Sequence, residues 1–164
     1  MSKTHLALLS PGMLILALCG SGPCVSVADE TPAPASNVLA SADGQQAGTR
    51  VEITKLKRNS GDTVTLNYVL VNDSDANLAT TDLLKSAEYN SSDAVTLIDA
   101  AGKKRYLVIR DSDNKCLCSS DLHGVPSKSR INLWAKFPAP PEDVKVISID
   151  IPHFQPIDDV PISQ

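Results

Sequence analysis

Cys116 and Cys118 are the two side chains of this 164-residue sequence with the widest range of chemistry open to them. The other two cysteines, Cys19 and Cys24, lie in an N-terminal stretch that reads as removable, so any intramolecular disulfide of the processed chain must join Cys116 to Cys118. In an extended strand their Cα atoms would stand about 6.6 Å apart on one face, near the upper limit of about 6.8 Å for a bridge, so pairing requires a bend. Three chemistries are open to the pair: a structural pin on a turn, a redox-active disulfide, or a soft-metal site for copper in which His123 could serve as a third ligand. An oxidising compartment favours the disulfide, although so short a loop contributes little entropic stabilisation.

Other polar clusters carry less. Asp111, Asp113 and Asn114 imitate the opening of a calcium loop, but Lys115 stands where a fifth-position oxygen is needed and Leu122 where the closing acid belongs, so a turn rich in Asx residues is expected instead. His123 and His153 sit beside Gly124 and Pro152 and read as exposed loop histidines. No nucleophile elbow, HExxH, Walker A or GxGxxG pattern occurs. We therefore expect no enzyme, no cofactor and no resident metal. Trp134 is more informative: it alternates with Ile131, Leu133, Ala135 and Phe137, and so falls with Asn132 and Lys136 on the outward face of its strand. An indole there is a candidate contact for a protein or a sugar. Asn72-Asp73-Ser74 and Asn90-Ser91-Ser92 fit the N-glycosylation pattern, which matters only in a eukaryotic secretory route.

These residues need a scaffold and an address. Residues 1–28 read as a signal peptide: Lys3 and His5 open it, Leu6 to Leu18 is mostly apolar, and Ser26-Val27-Ala28 offers the small residues of a cleavage site. The apolar run, broken by Pro11-Gly12, is shorter than the roughly 20 residues of a transmembrane helix. The competing lipobox ending at Cys19 has the bulky Leu18 where a small residue is preferred. The expected location is thus periplasmic or extracellular, with no transmembrane segment in the mature chain. Residues 29–48, rich in Ala, Pro, Ser and Gln, read as a disordered linker, and 49–164 as one domain. With 15 basic against 19 acidic side chains the chain is mildly acidic, and cleavage removes Lys3 and no acid. Nucleic acid is an unsuitable partner for such a balance.

From Thr49 the texture is all-β. Val51 and Ile53 begin one strand; Asn59-Ser60-Gly61-Asp62 makes a turn; Val64, Leu66, Tyr68 and Leu70 alternate in the next. Val95–Asp99 and Tyr106–Arg110 read as hairpin arms around Gly102, and residues 78–89 as a helical turn or irregular crossover. Ser129–Phe137 and Val144–Ile151 are two further strands; the second is apolar on both faces, which predicts a bulge or a central place. The prolines at 138, 140 and 141 make the link between them a loop. Strands this short and this evenly spaced predict an antiparallel two-sheet sandwich of immunoglobulin-like type, without the Cys, Trp, Cys spacing of antibody domains.

The segments RDSDNKCLCSS, LWAKFPAPPEDV and IPHFQPIDDVPIS resemble small secreted bacterial modules that stand alone or precede an outer-membrane-protein-A-like peptidoglycan-binding domain. The resemblance covers Tyr106 to Ile162 and implies an immunoglobulin-like module of the cell envelope with Cys116 and Cys118 as a recurring pair; it brings no catalytic residues. The expectation is an exported, non-enzymatic module that binds or supports another envelope component, an unidentified protein or glycan. The alternative is a periplasmic thiol-redox or copper-handling protein working through Cys116 and Cys118.

Overall fold

The structure, a computed structural model, describes residues 37–79 and 91–164. Among them are eight strands: β1 (Ala40–Asp43), β2 (Thr49–Asn59), β3 (Thr63–Asn72), β4 (Thr96–Asp99), β5 (Lys104–Leu107), β6 (Ser129–Pro138), β7 (Val146–Asp150) and β8 (Ile157–Pro161). They form two antiparallel four-stranded sheets, ordered β1-β2-β3-β6 and β5-β4-β7-β8. The hairpin β2–β3 lies in the first sheet and β4–β5 in the second; β6 returns beside β3, and β7–β8 return beside β4. That order of crossings between sheets is the order of an immunoglobulin-like sandwich.

Period-two alternation sets the inner faces. Val64, Leu66, Tyr68 and Leu70 of β3, Leu133, Ala135 and Phe137 of β6, and Leu97, Ile147 and Ile149 of the second sheet are all buried in one core. The expected turn after Asn59 is present, with Gly61 and Asp62 both at positive φ. Arg58 ties the proline loop to β2, donating to the carbonyls of Pro140 (2.6 Å), Pro141 (2.9 Å) and Val144 (2.9 Å). The strand apolar on both faces, β7, is central between β4 and β8, and its register with β8 shifts between Ile147 and Ile149.

Several elements depart from the pattern expected. The second hairpin arm begins at Lys104 instead of Tyr106, since Asp99 pairs with Lys104 and the Asp99 carboxylate accepts from the Gly102 N–H at 2.8 Å. Ala40–Asp43, inside the stretch expected as a linker, is strand β1, paired to Arg50–Ile53 with the half-buried Ala40 and Ala42 against the core. β8, preceded by Pro156 and ending at Pro161, had no period-two signature to mark it. The crossover expected over 78–89 lies, from residue 80, outside the described residues, as do the export signal and Asn90. Asn72, the other candidate glycosylation site, is wholly buried and its Nδ2 donates to the carbonyls of Ala76, Val125 and Pro126. It is a structural plug between loops, closed to a glycan.

One irregularity has large consequences for the surface. The β2–β3 register slips between Ile53 and Lys55, with Ile53 opposite Tyr68 and Lys55 opposite Asn67. Thr54 is the extra residue, its hydroxyl donating to the Asn67 carbonyl at 3.1 Å. Before this bulge the odd residues Val51 and Ile53 face inward; after it the even residue Leu56 does, fully buried. The bulge therefore turns Lys55 and Lys57 to the outer face.

Candidate functional site

The outer face of the first sheet carries Trp134, 40% exposed. Register places it in a row with Asn67 of β3 and Lys55 of β2, and the adjoining row is Lys136, Thr65 and Lys57. Beyond Lys55, Leu39, 46% exposed, enters β1, and a shallow groove of about 630 Å³ runs between them, lined by Val38, Leu39, Thr54, Lys55 and Asn67. Neighbouring strands stand about 4.8 Å apart, so the row from β1 to β6 spans about 14 Å. Among the described residues no ion pair reaches Lys55, Lys57 or Lys136.

The far end of the same face is different. Glu52, 4% exposed at its side chain, is held between Arg50 (2.9 Å) and Arg130, and Arg50 also meets Asp73. Val69 and Val71, although outward in register, are buried between these charged residues. Desolvation pulls the Arg50 pKa down, but Glu52 and Asp73 more than offset it, and the net shift is upward.

What holds Trp134 in place is the segment carrying the cysteines. Cys116 and Cys118 are disulfide-bonded with Cα atoms 5.3 Å apart, so the bend required of an extended pair is present. The bent segment lies along the open edge of β6. The Lys136 N–H donates to the Leu117 carbonyl (2.9 Å) and the Lys136 carbonyl accepts from the Ile109 N–H (2.9 Å). The Trp134 N–H donates to the Ser119 hydroxyl (3.0 Å), and its carbonyl accepts from the Ser119 N–H (2.9 Å) and the Ser92 hydroxyl (3.0 Å). Both edge groups of Trp134 and of Lys136 are thereby satisfied, and the indole stands on a clamped backbone. Beneath it on the inner face, burial pushes the Tyr68 phenol well above its usual range, the neighbouring Ser92 hydroxyl offsetting only part of the shift.

A second concavity, a cleft of about 370 Å³, opens beside the disulfide and is lined by Ser91, Arg110, Lys115, Cys116, Ser120 and Asp121. Arg110 is already committed there, to the buried Asp93 carboxylate and to the Asn114 carbonyl at 2.8 Å. Cys116 is half-buried and reaches the cleft, whereas Cys118 is buried in the core opposite Ala135. The turn before the pair is the Asx turn expected: Asp111 Oδ1 accepts from the N–H groups of Asp113 and Lys115, each at 2.9 Å. His123 and His153 are exposed. Among the described residues no group of three His, Cys, Asp or Glu side chains is placed to hold a metal, so His123 is not brought together with the cysteines. No helix among the described residues is long and apolar enough to cross a membrane.

The indole and its strand neighbour Lys136 were visible in the sequence; their companions from other strands were not. Lys55 and Lys57 join it only through the bulge at Thr54, and Ser92 and Ser119 only through long-range pairing. Comparison with protein-family models, with curated proteins and with solved structures returns no match to the chain.

Proposed function

We propose that this chain is an exported, non-enzymatic immunoglobulin-like module that binds another component of the cell envelope through the outer face of its first sheet. The observation that carries this reading is Trp134: a large aromatic side chain, 40% exposed, on a backbone whose edge groups are all bonded. A partly exposed aromatic side chain on a rigid support contributes contact area at low entropic cost, which is the economy of a binding anchor and not of a core residue. The test is co-sedimentation of the mature chain with isolated cell envelopes. The wild type is expected in the pellet and Trp134→Ala in the supernatant with an unchanged melting temperature; equal partition of the two would refute the assignment.

The alternative, thiol-redox or copper chemistry at Cys116 and Cys118, draws support from the cleft that exposes Cys116 beside Lys115. Against it stands Cys118, whose thiolate, once released into apolar surroundings, would lack solvation. Replacing both cysteines by serine separates the two: loss of a thiol or copper activity in a folded protein favours the alternative, and loss of stability alone favours the binding module.

A further inference from the structure

We infer that the face around Trp134 is built for an acidic polysaccharide, one whose sugar rings carry carboxylates. The inference rests on the proposed binding role of this face and adds the chemical class of the ligand. Two patterns coincide there. Trp134 presents a flat, partly exposed ring in line with Asn67, and Thr65 lies in the next row, so a stacking surface adjoins an amide and a hydroxyl able to bond ring hydroxyls. Lys55, Lys57 and Lys136 surround that surface, and the nearest acid on this face, Glu52, is buried between Arg50 and Arg130.

The charge pattern is selective within this molecule. The chain as a whole is acidic, with 19 acidic to 15 basic side chains, yet this half-face presents three cations and no acid from β2, β3 and β6. A neutral glycan would use the indole and the amide and leave the lysines idle. A polyphosphate would use the lysines and leave the indole of Trp134, the amide of Asn67 and the hydroxyl of Thr65 idle. A carboxylated sugar polymer uses both sets: the C–H face of one ring on Trp134, and carboxylates of that ring and its neighbours at Lys57, Lys136 and Lys55. The row of about 14 Å from Leu39 to Trp134 accommodates a short run of rings lying across the strands.

Trp134 is the only tryptophan, so its emission is a reporter placed at the proposed contact. The experiment titrates the mature chain with oligogalacturonate, with a cello-oligosaccharide of equal length, and with a thymidine oligonucleotide, by calorimetry for every variant and by Trp134 fluorescence where the indole is kept. Saturable binding of oligogalacturonate at least about tenfold tighter than of the neutral oligomer, weakened by added salt, is expected. The double substitution Lys57→Gln and Lys136→Gln is expected to cost about tenfold or more at an unchanged melting temperature, and Trp134→Phe to keep most of the affinity that Trp134→Ala loses. Equal affinity for the neutral oligomer, with Trp134→Ala still abolishing it, overturns the acidic class while leaving the binding face standing. Binding indifferent to Trp134→Ala, or no binding of either sugar, overturns the inference, as does tighter binding of the oligonucleotide.

Discussion

One sheet face carries two opposite treatments of charge. At the Arg50, Glu52, Arg130 end every charged group is spent on another, and the network lies alongside two outward valines that it helps keep from water. At the Trp134 end three lysines meet no acid among the described residues, and the aromatic ring beside them is left open. Both ends share strands, pleat and composition type. The difference shows that alternation decides only whether a side chain points out, whereas register decides whether it finds a partner there. Residue type follows the same division: guanidinium groups, which fork onto carboxylates, serve the closed end, and ammonium groups, which stay hydrated and mobile, serve the open one.

The most severe way to break the contrast is to insert one residue between Lys55 and Leu56. In the resulting alternation the fully buried Leu56 would turn outward and Lys57 inward, so we expect a loss above about 3 kcal/mol and no cooperative thermal transition by circular dichroism. Next is Glu52→Ala, which leaves two arginines facing each other over Val69 and Val71. Because both arginines are partly exposed, the cost is expected at about 1–3 kcal/mol in urea denaturation, below that of a fully buried pair. Replacing Cys116 and Cys118 by serine is expected to cost about 1 kcal/mol, given the short loop, and to shift Trp134 emission as its clamp loosens.

A pH titration tests the ground under the open end. The folded Tyr68 phenol has a raised pKa, so its contribution is fully present below the unfolded value of about 10 and is lost as pH rises above it. Stability should fall across that alkaline range, and Tyr68→Phe should flatten the slope. The smallest effect belongs to Lys57→Ala, expected within about 0.5 kcal/mol of wild type, which would show that the open end contributes little to folding.

Much of this was legible in the chain itself, and the limits are physical. β6, and β3 as far as Tyr68, alternate because one face of each is in the core, so Trp134 could be placed outward from its neighbours alone; beyond Tyr68 the outward Val69 and Val71 are buried as well. The turns at Gly61 and Gly102 and the proline loop announced themselves through residues with restricted or special backbone geometry. β1 was hidden because its inward side chains, Ala40 and Ala42, are small and sit in a stretch rich in the same residue, and the backbone pairing that completes the strand has no side-chain signature. The lysine cluster was hidden because it draws on three strands and one bulge, and residues 55, 57 and 136 have no sequence reason to be neighbours. Asn72 shows the converse: its short motif fits a glycan acceptor, as chance matches do where Ser and Thr are frequent, while its side chain is consumed by the backbone of a loop about 50 residues away.

The cysteine segment gives the molecule a conditional border. With the ring closed, the last strand of the first sheet offers no free donor or acceptor at Trp134 and Lys136 to a foreign chain. Opening the disulfide would loosen that seal without removing a single core side chain. Exposed sheet borders invite further strands, so the reduced protein should be folded yet self-associating, and reductant should set its solubility before it sets its stability.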